Sequence, residues 1–212
     1  MRLDIDLTQG KKVINVYFTS DFHLFHNNVL KFDNRPFNDV HEMHLVIEER
    51  WNETVKPDDI VIYLGDLSFA RREDIQSVNE LLLRLNGHIH FVIGNHDKYN
   101  DIIKMPKFES VQDYLDLRIN HYQDSEINVG TKERVETLFC VMHYPIYSWN
   151  KKHHGSYMVH GHSHHNLNER EFHKINRIID VGCNGYDYTP ISYLDIIEQL
   201  KDVDFKASSS HP

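Results

Sequence analysis

Hydrophobic positions in this chain switch repeatedly between unbroken apolar runs and helical spacing, and each switch marks an element. Val13 to Thr19 is a β-branched and aromatic run that predicts a buried strand ending at Ser20-Asp21. Phe22 to Asn38 follows as a long loop, beyond the roughly 12 residues at which a structureless connection is usually functional or disordered. Asp39 with Glu42 forms a capping-box-like start, after which Met43, Val46, Ile47, Trp51 and Val55 recur at the spacing of a core-facing helix. Pro57-Asp58-Asp59 stops it, and Ile60 to Leu64 predicts a second strand. Ile75, Val78, Leu82 and Leu85 mark a second helix, ended by Asn86-Gly87, and Ile89 to Ile93 a third strand. Two βαβ crossovers are implied.

The second half reads as strands: Val111 to Ile119, Thr137 to Met142 and Tyr157 to His160, with Arg177 to Val181 and Tyr193 to Ile197 closing. An alternating first half and a strand-rich second half predict an α/β class protein, two packed sheets flanked by helices in an α/β/β/α sandwich. At 212 residues the chain is expected to form one domain over 1–205, with 206–212, which holds three consecutive serines, as a disordered tail.

Composition narrows the function classes. No apolar run approaches the roughly 20 residues of a membrane span, and the acids in Met1-Arg2-Leu3-Asp4-Ile5-Asp6 do not suit a secretory signal, so a cytoplasmic protein is expected. A net charge of −9 argues against duplex nucleic acid as a partner, since that binding relies on lysine and arginine. Cys140 and Cys183 lack CxxC spacing and read as small buried hydrophobes. Seventeen histidines are a surplus that a neutral fold does not need.

That surplus gathers in five polar blocks: Asp21-Phe22-His23, Gly65-Asp66, Gly94-Asn95-His96-Asp97, His143 and Gly161-His162-Ser163-His164. Four of them directly follow a strand-like run, which places carboxylate, carboxamide and imidazole where neighbouring strands end and open α/β sheets present ligands. This is the layout of a metal site. Two cations roughly 3.5–4 Å apart need an anionic bridge, and Asp66, on a tight turn after Gly65, fits that role. Mixed nitrogen and oxygen ligation suits Mn²⁺, Fe, Zn²⁺ or Ni²⁺ better than Mg²⁺ or Ca²⁺; manganese is favoured.

The ordered set D-x-H, G-D, G-N-H-D, H and G-H-x-H resembles the calcineurin-like metallophosphoesterase family and spans Asp21 to His164. The resemblance implies the metallophosphatase fold, with one metal on Asp21, His23 and His164, the other on Asn95, His143 and His162, and Asp66 between them. It implies that His96 is no ligand but contacts phosphate and protonates the leaving oxygen. Hydrolysis of a phosphodiester by a metal-bridging hydroxide is then expected, on a small, nucleotide-type substrate. Arg35-Pro36-Phe37 and the run from Val181-Gly182 to Pro190-Ile191-Ser192 are similar to small bacterial and phage members. After Gly65-Asp66 the chain continues Leu67-Ser68-Phe69, without the arginine of the protein-phosphatase branch, so protein substrates are not expected.

Around the metals, His26, Arg35, His153 and His154 are candidates for substrate contact, while Arg71 and Arg72 read as a solvated face. A single-strand nuclease, with Lys31, Arg35, Lys151 and Lys152 lining a groove, is one alternative; a phosphomonoesterase and a non-catalytic binding module are others. His165 is expected beside the metals or exposed, and His41, His44, His88, His90, His121 and His173 on the surface. Phe18, Phe22, Phe91, Tyr144 and Trp149 are expected in the core or cleft wall. The sequence leaves the oligomeric state open.

Overall fold

The computed structural model describes residues 1–9, 12–124 and 132–204. Its strands are β1 (Arg2–Asp6), β2 (Thr8–Gln9), β3 (Lys12–Val13), β4 (Val16–Thr19), β5 (Ile60–Tyr63), β6 (His88–Val92), β7 (Phe108–Gln112), β8 (Tyr114–Asp124), β9 (Lys132–Met142), β10 (Tyr157–His160), β11 (Ile178–Asp180) and β12 (Ile191–Ser192). Helices α1 (Val29–Phe32), α2 (Val40–Thr54), α3 (Ile75–Arg84), α4 (Tyr99–Ile102), α5 (Glu171–Lys174) and α6 (Tyr193–Gln199) connect them. Two mixed five-stranded sheets result, ordered β12-β4-β5-β6-β7 and β1-β8-β9-β10-β11, beside the small β2–β3 hairpin. In the first sheet only β12 runs antiparallel, and in the second β8 and β9 form the antiparallel pair.

Side chains alternate across a strand, so each sheet has two faces to bury. Phe18, Ile62, Leu64 and Val92 of the first sheet meet Leu115, Leu117, Ile119, Phe139 and Val141 of the second in one shared core. The opposite face of the first sheet, Val61, Tyr63, Ile89 and Phe91, packs on Met43, Ile47 and Trp51 of α2 and on Val78, Leu81 and Leu82 of α3. The second sheet's outer layer is thinner: Cys140, Met158 and Ile178 lie under Trp149 and Phe172 of α5. Helix α2 begins as its sequence dictates, Asp39 Oδ1 accepting from the Glu42 amide at 2.8 Å while the Glu42 carboxylate accepts from the Asn38 amide at 2.6 Å.

Four expectations need correction. Val111 to Ile119 is not one strand: β7 ends at Gln112, the chain bends at Asp113, and β8 enters the other sheet. Tyr193 to Ile197 is not a strand but lies in α6; Ser192 caps it by accepting from the Asp195 amide at 3.1 Å, and Tyr193, Ile196 and Leu200 bury one helical face in the intersheet core. The run from Val13 is not one buried strand: Val13 is exposed and pairs with Thr8 in the β2–β3 hairpin, and pairing in the first sheet begins at Val16. The loop from Phe22 to Asn38 contains the single-turn helix α1. β1, which the sequence does not mark as a strand, pairs parallel to β8. The tail 206–212 lies outside the described residues. Both cysteines are buried and free, as the sequence suggested. No helix among the described residues is long and apolar enough to cross a membrane.

Candidate metal centre

The C-terminal ends of β4, β5, β6, β9 and β10 deliver five polar blocks to one place. Two groups form there, Asp21 with His23 and His164, and Asp66 with His143 and His162; within each, the potential ligand atoms lie within 4.8 Å of one another. The Asp66 carboxylate faces both, with Oδ2 3.6 Å from His23 Nε2 and 3.6 Å from His143 Nε2. Asn95 Oδ1 completes the second group, 3.0 Å from His143 Nε2 and 2.9 Å from His162 Nδ1. Nε2 atoms of His23 and His164 stand 3.1 Å apart. Asp21, His23, Asp66 and His143 are buried, His164 is half-buried, and Asn95 and His162 are exposed, so the cluster opens on one side.

Backbone geometry holds these groups where they are. Asp21, His23, Asp66, His162 and His164 all adopt positive φ, between 50° and 68°, a left-handed conformation that costs a non-glycine residue energy and clusters at functional sites. Gly65, at φ 84°, precedes Asp66; a Cβ there would lie 2.4 Å from the Gly94 amide nitrogen, so the second and third blocks touch only because both positions are glycine.

Hydrogen bonds from neighbouring groups fix how these side chains point. His143 Nδ1 donates to the Leu64 carbonyl at 2.6 Å, which leaves the Nε2 lone pair facing Asp66 and Asn95. His164 Nδ1 donates to Asp33 Oδ2 at 2.7 Å. Ser20 Oγ donates to Asp21 Oδ2 at 2.6 Å, and the His162 amide donates to the same carboxylate. Asp97 accepts from the amides of Asp66, Leu67 and Gly94, pinning the Gly65-Asp66 turn to the third block. Asp180 does likewise for the last block, accepting from the His165 and Gly182 amides and the Ser163 hydroxyl. Asp33, Asp97 and Asp180 were not assigned roles from sequence. Asp97 at least stood inside a recognised block, whereas nothing local marked Asp33.

Electrostatics suit a cation. Burial pushes the Asp21 carboxyl up to about 8, against the favourable His164 charge and Ser20 hydrogen bond. Burial, then the charges of His164 and Arg35, hold His23 down to about 2, and burial lowers His143. For His164, burial is outweighed by the Asp33 hydrogen bond and the Asp21 charge, and the imidazole is raised. Converging acceptor atoms, desolvated carboxylates and the imidazoles of His23 and His143, which burial keeps neutral, form a donor set that fits borderline divalent metals.

The remaining candidates separate. His96 is exposed at the mouth, its ring 4.5 Å from Phe69 and 5.7 Å from His23, and its amide donates to Asp66 Oδ1 at 2.9 Å. His26 stacks on Phe69 at 4.1 Å, at the same mouth. Arg35, expected to touch substrate, is 4 % exposed, and its guanidinium donates to the Asp21 and Phe22 carbonyls and to Asp33. It locks the first block and cannot also reach a ligand. His153 and His154 are exposed in the turn after Lys151 and join neither group. Lys152 is buried, not groove-lining: its ammonium donates to the Tyr147 carbonyl and lies over the Tyr147, Trp149 and Phe172 rings.

Four histidines expected on the surface are buried or half-buried: His173 is buried, and His44, His90 and His121 are half-buried. His173 Nε2 lies 2.8 Å from His160 Nε2. His44 Nε2 accepts from the Phe25 amide at 3.0 Å and so anchors the loop carrying His23 and His26. Burial, then the His41 charge, lowers His44 to about 4, below the roughly 6.5 of an unfolded chain. Between those values the unfolded chain binds a proton that the folded one refuses, so this contribution is complete above about pH 6.5 and fades as pH falls. Thermal midpoints of wild type and His44→Gln should therefore converge from pH 7 to pH 4.5; parallel pH profiles would contradict this role.

Fold and site together define a two-sheet mixed α/β protein with a candidate dinuclear centre at its strand ends. The uncharacterized protein MJ1445 of Methanocaldococcus jannaschii is 34% identical over 187 residues, 87% of this chain and 90% of the archaeal one, and the chain belongs to its family. Gene 66 protein of Mycobacterium phage D29 is 26% identical over 213 residues, covering 90% of this chain and 98% of the phage protein. No family model matches the chain. A solved structure from Aquifex aeolicus, described as the protein of unknown function AQ665, superposes with a TM-score of 0.64 at 22% identity over 88% of this chain and 99% of its own, a likeness of fold.

Proposed function

We propose that the chain is a dinuclear-metal phosphoesterase of the calcineurin-like type, its two sheets and flanking helices forming the four-layer metallophosphatase sandwich. The observation that carries this reading is the Asp66 carboxylate, 3.6 Å from an imidazole nitrogen of each group, with Asn95 closing the second. Asp21, His23 and His164 would hold one ion and Asn95, His143 and His162 the other, Mn²⁺ being favoured over Fe, Zn²⁺ or Ni²⁺. Such ions, when bound, neutralise phosphate charge and ionise water near neutral pH.

The chain's own residues supply the rest. His96 sits where it can give a proton to a departing alkoxide, and its amide bond to Asp66 ties the position of that ring to the bridging carboxylate. A small ester, a diester by preference, is favoured over a nucleic-acid strand, because Arg35 and Lys152, two of the four cations a strand groove would use, are buried in structural roles. Chelated protein should be inactive and should hydrolyse phosphodiesters once Mn²⁺ is restored; no turnover on mono- or diesters with any of the four metals would overturn the assignment.

Asp33 is expected to set metal affinity through His164 Nδ1. Asp33→Asn keeps the shape but loses the charge, and should weaken binding to the His164 site by about 10–100-fold, measured by calorimetric titration with Mn²⁺. Unchanged affinity would show that the Asp33–His164 bond has no part in ligation.

A further inference from the structure

Two clefts leave the cluster, one from each group. The first, about 370 Å³, opens from Asn95 and His96 and is lined by Phe69 and Lys98 among others. The second, about 360 Å³, opens from His164 and has Phe32, Asn34, Asn166 and Asn184 on its walls. On the phosphoesterase reading, His96 protonates the group that leaves, so the first cleft takes the leaving arm. A monoester has nothing to put in the second.

The walls of that second cleft are specific in chemistry. No lysine or arginine lines it, so it does not suit a further phosphate or a polyanionic strand. Asn34 and Asn166 are exposed, and the described contacts give neither carboxamide a partner within the chain. Each offers a donor and an acceptor side by side, the arrangement that reads the edge of a heterocyclic base. Phe32, 76% exposed, adds an aromatic face on which a planar ring can stack. Asn184 is bound to Asp33 and belongs to the support of His164.

We infer that the cleft of Phe32, Asn34 and Asn166 is the subsite for the retained arm of a phosphodiester, and that this arm is a neutral, heterocycle-bearing group of nucleoside type. In the reaction water adds to phosphorus, the P–O bond to the leaving group breaks, the leaving oxygen takes the proton, and the arm in this cleft stays on the product as a monoester. The inference rests on the phosphoesterase reading, and its test separates the two.

Thymidine 5′-(4-nitrophenyl phosphate) and methyl 4-nitrophenyl phosphate release the same phenol and differ only in the retained arm. With Mn²⁺ the ratio of their kcat/KM values should be about tenfold or more in favour of the thymidine ester, and should fall towards unity in Asn34→Gly/Asn166→Ala, which removes two hydrogen-bonding groups. Asn34 has φ 53°, so glycine leaves its backbone unstrained. A wild-type ratio near unity, or one that the double variant keeps, would overturn the subsite. Calorimetry supplies an arm independent of turnover: thymidine 5′-monophosphate should bind more tightly than methyl phosphate, and the double variant should lose the difference. If neither ester is hydrolysed, the phosphoesterase reading fails and the binding comparison still decides the cleft.

Discussion

Asp66→Asn should reduce bound Mn²⁺ from two ions per chain to one or none and lower phosphodiester hydrolysis by more than about 10³-fold. The expected size follows from charge stabilisation by the metals, worth several kcal/mol, with each 1.36 kcal/mol a factor of ten. Asparagine preserves the volume, tolerates the φ of 56° and keeps an oxygen for the His96 amide, so the fold should survive. Only the negative charge between the two groups is lost. Metal analysis by mass spectrometry with kinetics in parallel checks both halves; two ions and wild-type turnover in the variant would remove Asp66 from the centre.

The second large effect is expected at His96. His96→Asn should retain both metals and the thermal midpoint, because the ring is exposed and holds no ligand position. Hydrolysis of an alkyl phosphodiester should fall by about 10²–10⁴-fold, the usual contribution of a positioned general acid. An activated aryl ester, whose leaving group needs no proton, should fall much less. Equal losses on both substrates would assign His96 to phosphate binding alone.

Much of this candidate site was legible in the chain because its residues follow strands. A buried strand has a strong local signature, and a polar block directly behind it has one place to go, the sheet's end. All seven residues named as ligands do converge. What local sequence did not show depends on partners far away. Asp33 meets His164 across 131 positions, and Arg35 reaches back to Asp21 and Phe22. An arginine in a loop reads as a substrate hook until the fold shows it closed in by carbonyl oxygens. The same limit explains Val111 to Ile119, where a run of strand-forming residues gave no warning that the chain changes sheets at Asp113. It explains α6 in part, since Tyr193, Ile196 and Ile197 suit either structure and the Ser192–Asp195 cap, visible in hindsight, decides. Nor do residue types demand the left-handed backbone of Asp21, His23, Asp66, His162 and His164; at Asp66 it accompanies the close approach of Gly65 to Gly94 and the bond from the Asp66 amide to Asp97.

The central claim is that two cations sit on either side of one aspartate. Anomalous diffraction at the manganese edge, from crystals of chelated protein soaked in Mn²⁺, tests it most directly. Two peaks roughly 3.5–4 Å apart should appear, one against Asp21, His23 and His164 and the other against Asn95, His143 and His162, with the Asp66 carboxylate touching both. Peaks elsewhere, or none at these residues at saturating metal, would contradict it.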